Sequence, residues 1–307
     1  MKFQYCSDLH LEFPDNYDLF IKEKKLKPAA DNLIIAGDLA YLKLVSEDKC
    51  DTTKVHIKYE DRFDDAIQYL SDNWKNVIII PGNHEYYGDQ APSMHNMQYC
   101  RQFRLKSNVT LIEKSSIRLE DDNCVYTRAG GTMWTVMPPE DMYYIEQKMN
   151  DYRRIRYDDD YKFNGGYAAR DCANFAYAMY DILGTKEYRD SLANRIFFEN
   201  TDNERKGILH KAIIVSHHCP IEKGLKNWYQ IKNCGPWQRD MAMQMKHGYY
   251  CDMSKTIKKI QPDVWIYGHT HATNKIKYGN TQFLENSMGY VAYGHNDKFG
   301  FTKTFEL

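Results

Sequence analysis

Five short apolar runs along the chain each stop at a polar cluster. Residues 2–6 (KFQYC) run into Ser7-Asp8-Leu9-His10, 32–36 (NLIIA) into Gly37-Asp38, and 76–80 (NVIII) into Pro81-Gly82-Asn83-His84-Glu85. Residues 211–215 (KAIIV) run into Ser216-His217-His218, and 263–267 (DVWIY) into Gly268-His269-Thr270-His271. Short β-branched runs bounded by Gly or Pro predict buried strands. Between them, 62–74 places Phe63, Ala66, Ile67 and Leu70 on one helical face. Residues 254–261 predict a second helix, with Ser254 as N-cap and Pro262 beyond its end. Strands alternating with helices predict an α/β fold, in which ligands sit beyond the carboxyl ends of the strands. All five polar clusters fall at such ends.

Two stretches depart from this rhythm. Residues 109–135 predict strands in hairpin succession, and 272–307 repeat the habit with a turn at Tyr278-Gly279-Asn280. Both point to a second, more antiparallel sheet packed against the first, so the expected architecture is α+β. Residues 138–206, rich in Tyr, Asp and Arg, read as a helical insertion or cap, with helices over 168–183 and 187–198. Residues 220–253 read as an aromatic-rich insert loop. The whole of 1–307 is expected to form one catalytic domain.

Composition narrows the function classes. The 307 residues carry 41 basic and 42 acidic side chains, a net charge of -1, which gives no global pull toward nucleic acid or a membrane surface. No run approaches the roughly 18 apolar residues of a membrane span, and the N-terminus lacks a signal-peptide core. Eight scattered cysteines with no CxxC pair read as reduced thiols of a cytoplasmic protein.

Taken singly, each polar cluster is weak: Asp-x-His and Gly-Asp also make ordinary turns. Their joint order is not. Asp-x-His, Gly-Asp, Gly-Asn-His-Glu, a strand-end His and Gly-His-x-His, all at strand ends, bring six of eleven histidines into one series. Mixed carboxylate and imidazole donors suit Mn, Fe, Zn, Ni or Co. A buried structural His needs one hydrogen-bond partner, not company from three strands.

On these motifs the chain resembles the calcineurin-like metallophosphoesterase superfamily, over the frame from residue 5 to 271. The resemblance implies a single domain of two packed β-sheets flanked by helices. It implies two divalent cations, with manganese as the first choice. Asp8, His10, Asp38 and His271 would hold one cation. Asp38, Asn83, His217 and His269 would hold the other, with Asp38 bridging. His217 is taken over His218 because the family's ligand is the first His after the strand. His84 would stabilise or protonate the leaving oxygen after attack by a metal-bridging hydroxide. Two departures stand out. The Asp that many members carry three residues after the bridging one is Tyr41 here, so Tyr41 is a candidate orienter of His84. Residue 81, where serine/threonine protein phosphatases carry Arg, is Pro.

The expected activity is hydrolysis of a small phosphodiester such as a cyclic nucleotide. The alternatives are a nuclease, a nucleotide pyrophosphatase, and a non-catalytic metal-binding scaffold. Arg153, Arg154 and Arg156 are candidates for a phosphate clamp, against a helix salt-bridged to Asp158–Asp160. His218 and Tyr41 are further candidate substrate contacts, and Trp228, Tyr229 and Trp237 could stack on a base or simply pack. The expected partner is a small phosphorylated substrate. Oligomeric state is not legible.

Overall fold

A computed structural model describes residues 1–46, 55–99, 101–199, 208–225, 236–294 and 296–307. Two six-stranded mixed sheets form the frame. The first has the order β14-β1-β2-β5-β7-β6, from β1 (Lys2–Cys6), β2 (Asn32–Ala36), β5 (Asn76–Ile80), β6 (Gln102–Lys106), β7 (Val109–Ile112) and β14 (Thr304–Glu306). The second has the order β12-β13-β11-β10-β9-β8, from β8 (Ser115–Asp121), β9 (Cys124–Gly131), β10 (Leu209–Ser216), β11 (Val264–Tyr267), β12 (Thr273–Tyr278) and β13 (Thr281–Asn286). A small hairpin of β3 (Leu42–Ser46) and β4 (His56–Tyr59) stands apart. In each large sheet the four inner strands are parallel and the outer two antiparallel.

The apolar runs lack polar alternation because both faces of each sheet are covered. Ile34 and Ala36 of β2 face the second sheet, with Phe3, Tyr5, Ile78, Ile213, Val215 and Ile266 in the same layer. Leu33 and Ile35 face the opposite way, onto a core that includes Phe63, Ile67 and Leu70 around helix Asp64–Asn73. The second sheet packs its outer face, through Ile214, Trp265 and Phe283, on Phe175, Met179 and Ile257 of helices Gly165–Leu183 and Ser254–Ile260.

Several expectations need correction in detail. The runs 211–215 and 263–267 belong to the second sheet, not the first, and lie parallel within it. Val109–Ile112 belongs to the first sheet, and only β8–β9 forms the hairpin expected over 109–135. Beyond the β12–β13 hairpin the chain returns to the first sheet as β14, against β1. A strand buried on both faces carries no mark of which sheet it joins, which is why the pattern misassigned these. Ser254 is the first helical residue rather than the N-cap: Met253 precedes it, and its backbone N–H donates to Asp252 Oδ1 at 2.9 Å.

The stretch 138–206 divides in two. Helices Pro139–Lys148 and Asp151–Arg154 lean over the strand ends, whereas Gly165–Leu183 lies on the back of the second sheet. Trp228, Tyr229 and the Trp237 side chain lie outside the described residues. Among the described residues no helix is long and apolar enough to cross a membrane.

Candidate metal centre

The seven predicted ligands converge where the carboxyl ends of the two sheets meet. Asp8, His10, Asp38 and Asn83 follow β1, β2 and β5 of one sheet; His217, His269 and His271 follow β10 and β11 of the other. The backbone shows how each side chain is turned inward. Nine described non-glycine residues have positive φ, and five of them are Asp8 (56°), His10 (47°), Asp38 (54°), His269 (68°) and His271 (50°). Left-handed backbone costs roughly 1–2 kcal/mol at a residue with a Cβ. Such strain persists only where the surroundings impose it, and it gathers at functional sites. The loops are pinned across: Asp8 N–H donates to Gly37 O at 3.0 Å, His10 N–H to Asp38 O at 2.9 Å, and Gly268 N–H to His217 O at 2.9 Å.

Two clusters share Asp38. In the first, His10 Nε2 lies 3.1 Å from His271 Nε2 and 3.6 Å from Asp38 Oδ2, and His271 Nε2 lies 3.5 Å from Asp8 Oδ1. In the second, His217 Nε2 lies 2.9 Å from Asn83 Oδ1, 3.2 Å from His269 Nδ1 and 3.4 Å from Asp38 Oδ2. The tautomers follow from the far nitrogens. His217 Nδ1–H donates to Ala36 O at 2.9 Å, and His10 Nδ1–H to Glu12 Oε1 at 3.0 Å. Both rings therefore turn Nε2, the nitrogen left for a cation or a proton, toward another ring nitrogen and a carboxylate. Lone pairs facing each other at 3.1–3.2 Å repel unless a cation or proton lies between them. His269 Nε2 is buried and without a partner. The donor set thus fits divalent cations. Ligand atoms of Asp8, His10 and His271, and of Asp38, His217 and His269, lie mutually within 4.8 Å. His84 makes a third such group with His10 and Asp38.

Protonation shows the same negative potential. Burial opposes a charge on His217, but Asp38 and then Asp8 outweigh it and lift the ring to about 10. For His84, burial is likewise overcome by Asp38 and Glu12, to about 9. Asp38 is held well below the usual carboxylate range despite burial, chiefly by His217 and His84. Protons collect where cations would displace them.

Around these side chains lies a shell that the motif order did not reveal. Glu12, at 2 % side-chain exposure, sits 2.5 Å from His84 Nδ1 as well as holding His10. Glu12, not Tyr41, orients His84; Tyr41 OH instead accepts from Arg154 Nη1 at 3.5 Å. The clue in sequence was the extension of Asp-x-His to Asp8-x-His10-x-Glu12. Glu85 accepts from the backbone N–H groups of Asp38, Leu39 and Gly82 at 2.7–3.0 Å and so braces two loops at once. Asp151 accepts from Asn83 Nδ2 at 2.8 Å and from Tyr87 OH. A carboxylate only accepts, so Asn83 must present its oxygen to the centre.

The remaining candidates are placed differently. His218 is 1 % exposed, with its ring centroid 4.3 Å from that of His269 and 5.0 Å from that of Trp134. Burial and the nearby His217 depress it to about 3. It packs behind the centre and is not among the residues that line the cavity over the clusters. Arg153 turns its guanidinium to Gln147 O. Arg154 stacks 5.2 Å over the Tyr87 ring, and Arg156 pairs with Asp159 at 3.6 Å. A cavity of about 490 Å³ opens over the clusters, walled by His84, Tyr87, Lys148, Asp151, Tyr249 and Tyr290.

A sandwich of two mixed sheets with shared-carboxylate His/Asp clusters at their meeting ends defines a metallophosphoesterase. The family model of calcineurin-like phosphoesterases matches residues 1–273, and the chain belongs to that family. It is 24% identical over 298 residues to an uncharacterized protein of Acanthamoeba polyphaga mimivirus, covering 94% of this chain and 90% of that one. In fold it is similar to the phosphopantetheinyl hydrolase of Mycobacterium tuberculosis, with a TM-score of 0.54, 15% identity, and coverage of 94% and 89% of the two chains.

Proposed function

We propose that the protein hydrolyses a small phosphodiester at a two-metal centre. Asp8, His10, Asp38 and His271 hold one cation, and Asp38, Asn83, His217 and His269 the other. When bound, the two cations supply Lewis acidity to the phosphoryl oxygens and lower the pKa of water in the site. Manganese is the first choice among the metals that such N/O donors accept.

The observation that carries this reading is the position of His84. Its Nδ1–H is committed to Glu12, and its Nε2 lies 3.3 Å from Tyr290 OH on the cavity wall. An imidazolium held there donates its Nε2 proton to the departing alkoxide, and Glu12 keeps the ring aimed and favours its charged form. Asp151 keeps Asn83 turned oxygen-first. Tyr87, Tyr249 and Tyr290 offer flat walls to the organic part of the substrate. Beyond Tyr87 a second cleft is lined by Tyr41, Arg62, Arg154 and Arg156 together with Glu60 and Asp89; Arg62 is paired with Glu60 at 2.9 Å, and Arg154 is the guanidinium that the cleft offers to the distal end of a longer substrate. The near-neutral net charge of -1 favours a small ester over a polynucleotide. Five described cysteines, all free and buried, suit a reducing cytoplasm.

The test is turnover by the manganese-loaded protein of bis(p-nitrophenyl) phosphate against p-nitrophenyl phosphate, followed by cyclic nucleotides, dinucleotides and phosphopantetheinyl esters. Faster diester hydrolysis supports the reading. Full metal content without turnover of any ester would leave a scaffold.

A further inference from the structure

Arg128 is a buried cation for which the metal centre has no use. It lies on β9, 1 % exposed. The pleat of β9 puts Cys124 and Tyr126 in the layer between the sheets, and Arg128 follows them at the same period of two. Its Nε and Nη1 have no hydrogen-bond partner. Among the described residues no carboxylate pairs with it. A charge withdrawn from water without a counter-charge is among the costliest arrangements a fold can keep.

The surroundings explain what would repay that cost. At this side of the sandwich β6 of the first sheet touches β8 of the second through Gln102 Nε2, which donates to Ser116 O at 2.6 Å, and space remains between β6, β7 and β8 beside that contact. They frame a cavity of about 580 Å³ with Arg128, Arg104 and Arg118 in its lining, beside Asn76, Thr110 and Ser116. No lining residue is acidic. Arg104 already donates from Nη1 to Ser107 O at 2.7 Å, which fixes its head at the rim. The cavity takes the opening residues of β5, Asn76–Ile78, whereas the metal centre follows the far end of that strand. The two sites are separate, and this one does not depend on the phosphoesterase reading.

We propose that this edge cavity is an oxyanion site, taking a phosphate-like group, free or carried by a small phosphorylated molecule. The planar fork of Arg128 would bind two oxygens side by side, with Arg104 and Arg118 closing on the remaining charge. Occupancy ties the edges of the two sheets together.

The experiment uses the full chain, stripped of metal with EDTA and desalted. Binding at the cavity is told apart from binding at the metal-free centre by the Arg128 comparison, because Arg128 lines the first and not the second. Inorganic phosphate and adenosine monophosphate are titrated at constant ionic strength, by calorimetry and by thermal unfolding. Wild type should bind and melt higher as phosphate rises. Arg128→Met should bind at least ~10-fold more weakly, since it removes the charge-assisted pair. It should equal or exceed wild type in stability in phosphate-free buffer, because it also removes an unpaired buried charge. Its metal-loaded turnover in that buffer should match wild type. Tighter binding of the nucleotide would assign the site to a carried phosphoryl group, and equal binding to the free anion. No phosphate binding by wild type, or unchanged binding by Arg128→Met, would overturn the proposal. Should Arg128→Met fail to fold, the double variant Arg104→Gln/Arg118→Gln decides: unchanged affinity in that folded variant overturns it equally.

Discussion

At the scale of single residues, the second layer of side chains separates roles that the motif pattern of His and Asp leaves merged. His84→Ala should keep the metal complement yet lose on the order of 10²–10⁴-fold in kcat, the usual contribution of general acid catalysis. The loss should shrink for p-nitrophenyl esters, whose leaving group needs little protonation. An equal loss for good and poor leaving groups would reduce His84 to a phosphate contact, and a lost metal would make it a ligand. Glu12 touches both His84 and His10, so Glu12→Gln should depress kcat and weaken one metal together. Tyr41→Phe should leave kcat unchanged, because the Tyr41 hydroxyl goes to Arg154 and only the ring, which Phe keeps, lies near the imidazole, 6.2 Å between centroids. Asp151→Asn puts a second amide opposite Asn83 and frees it to flip. Metal titration should show roughly 10–100-fold weaker binding at one of the two sites, the usual cost of losing a carboxylate that orients a ligand. Unaltered affinity would mean that Asn83 is not a ligand.

At the scale of elements, the strand ends explain both what was legible and what was not. A Cβ on Gly82 would collide with Asp38 Oδ1 and come within 2.8 Å of His217 Cε1. Gly82→Ala should therefore fold, by circular dichroism, but bind metal poorly; full occupancy would show the loop to be softer than this packing requires. The glycine of Gly-Asn-His is visible in sequence, as are the five strand-end clusters, because local pattern records local geometry. Glu12 shows only as the extension of Asp8-x-His10, and Glu85 only as the end of Gly-Asn-His-Glu; what they do depends on His84 for the first and on the Asp38 and Leu39 N–H groups for the second, on other loops, so the local pattern does not announce their roles. Glu285 on β13 is a further case. Burial, reinforced by the charge on Asp8 and opposed by Thr270, pushes its carboxyl up to about 8. An unfolded Glu titrates near 4.3, so the folded state holds the extra proton between these values. The stability this contributes is complete below about 4.3 and is lost as pH rises through 8. Chemical unfolding of metal-free wild type and Glu285→Gln should show wild type losing up to a few kcal/mol relative to the variant between pH 5 and 8, since each pH unit over which only the folded state holds the proton is worth about 1.4 kcal/mol. Parallel pH curves would show Glu285 to be ionised in the fold.

At the scale of the whole molecule, the two sheets are joined twice. Between them lies an apolar layer, with Phe3, Ile34 and Ile78 on one side and Tyr126, Ile213 and Ile266 on the other. At their carboxyl ends the joint is polar: four candidate ligands come from one sheet and three from the other, with Asp38 Oδ2 of the first only 3.4 Å from His217 Nε2 of the second. The metal-free centre is a liability there, since strained backbone, facing ring nitrogens and buried carboxylates all wait on the same cations. Metal should act as a clamp between sheets as well as a reagent. A cation at a hundred times its Kd stabilises the folded state by about 2.7 kcal/mol per site. For a chain of this size each kcal/mol is worth ~2 °C in Tm, so two filled sites should raise Tm by about ten degrees. Scanning calorimetry of the EDTA-treated protein with added manganese measures this. The Asp38→Asn variant supplies the decisive comparison, because Asp38 Oδ2 lies 3.6 Å from His10 Nε2 and 3.4 Å from His217 Nε2, one ring of each cluster: its Tm should respond to manganese by half as much or less. A variant that gained the full ten degrees would show that Asp38 is not the shared residue, and that the two clusters fill independently.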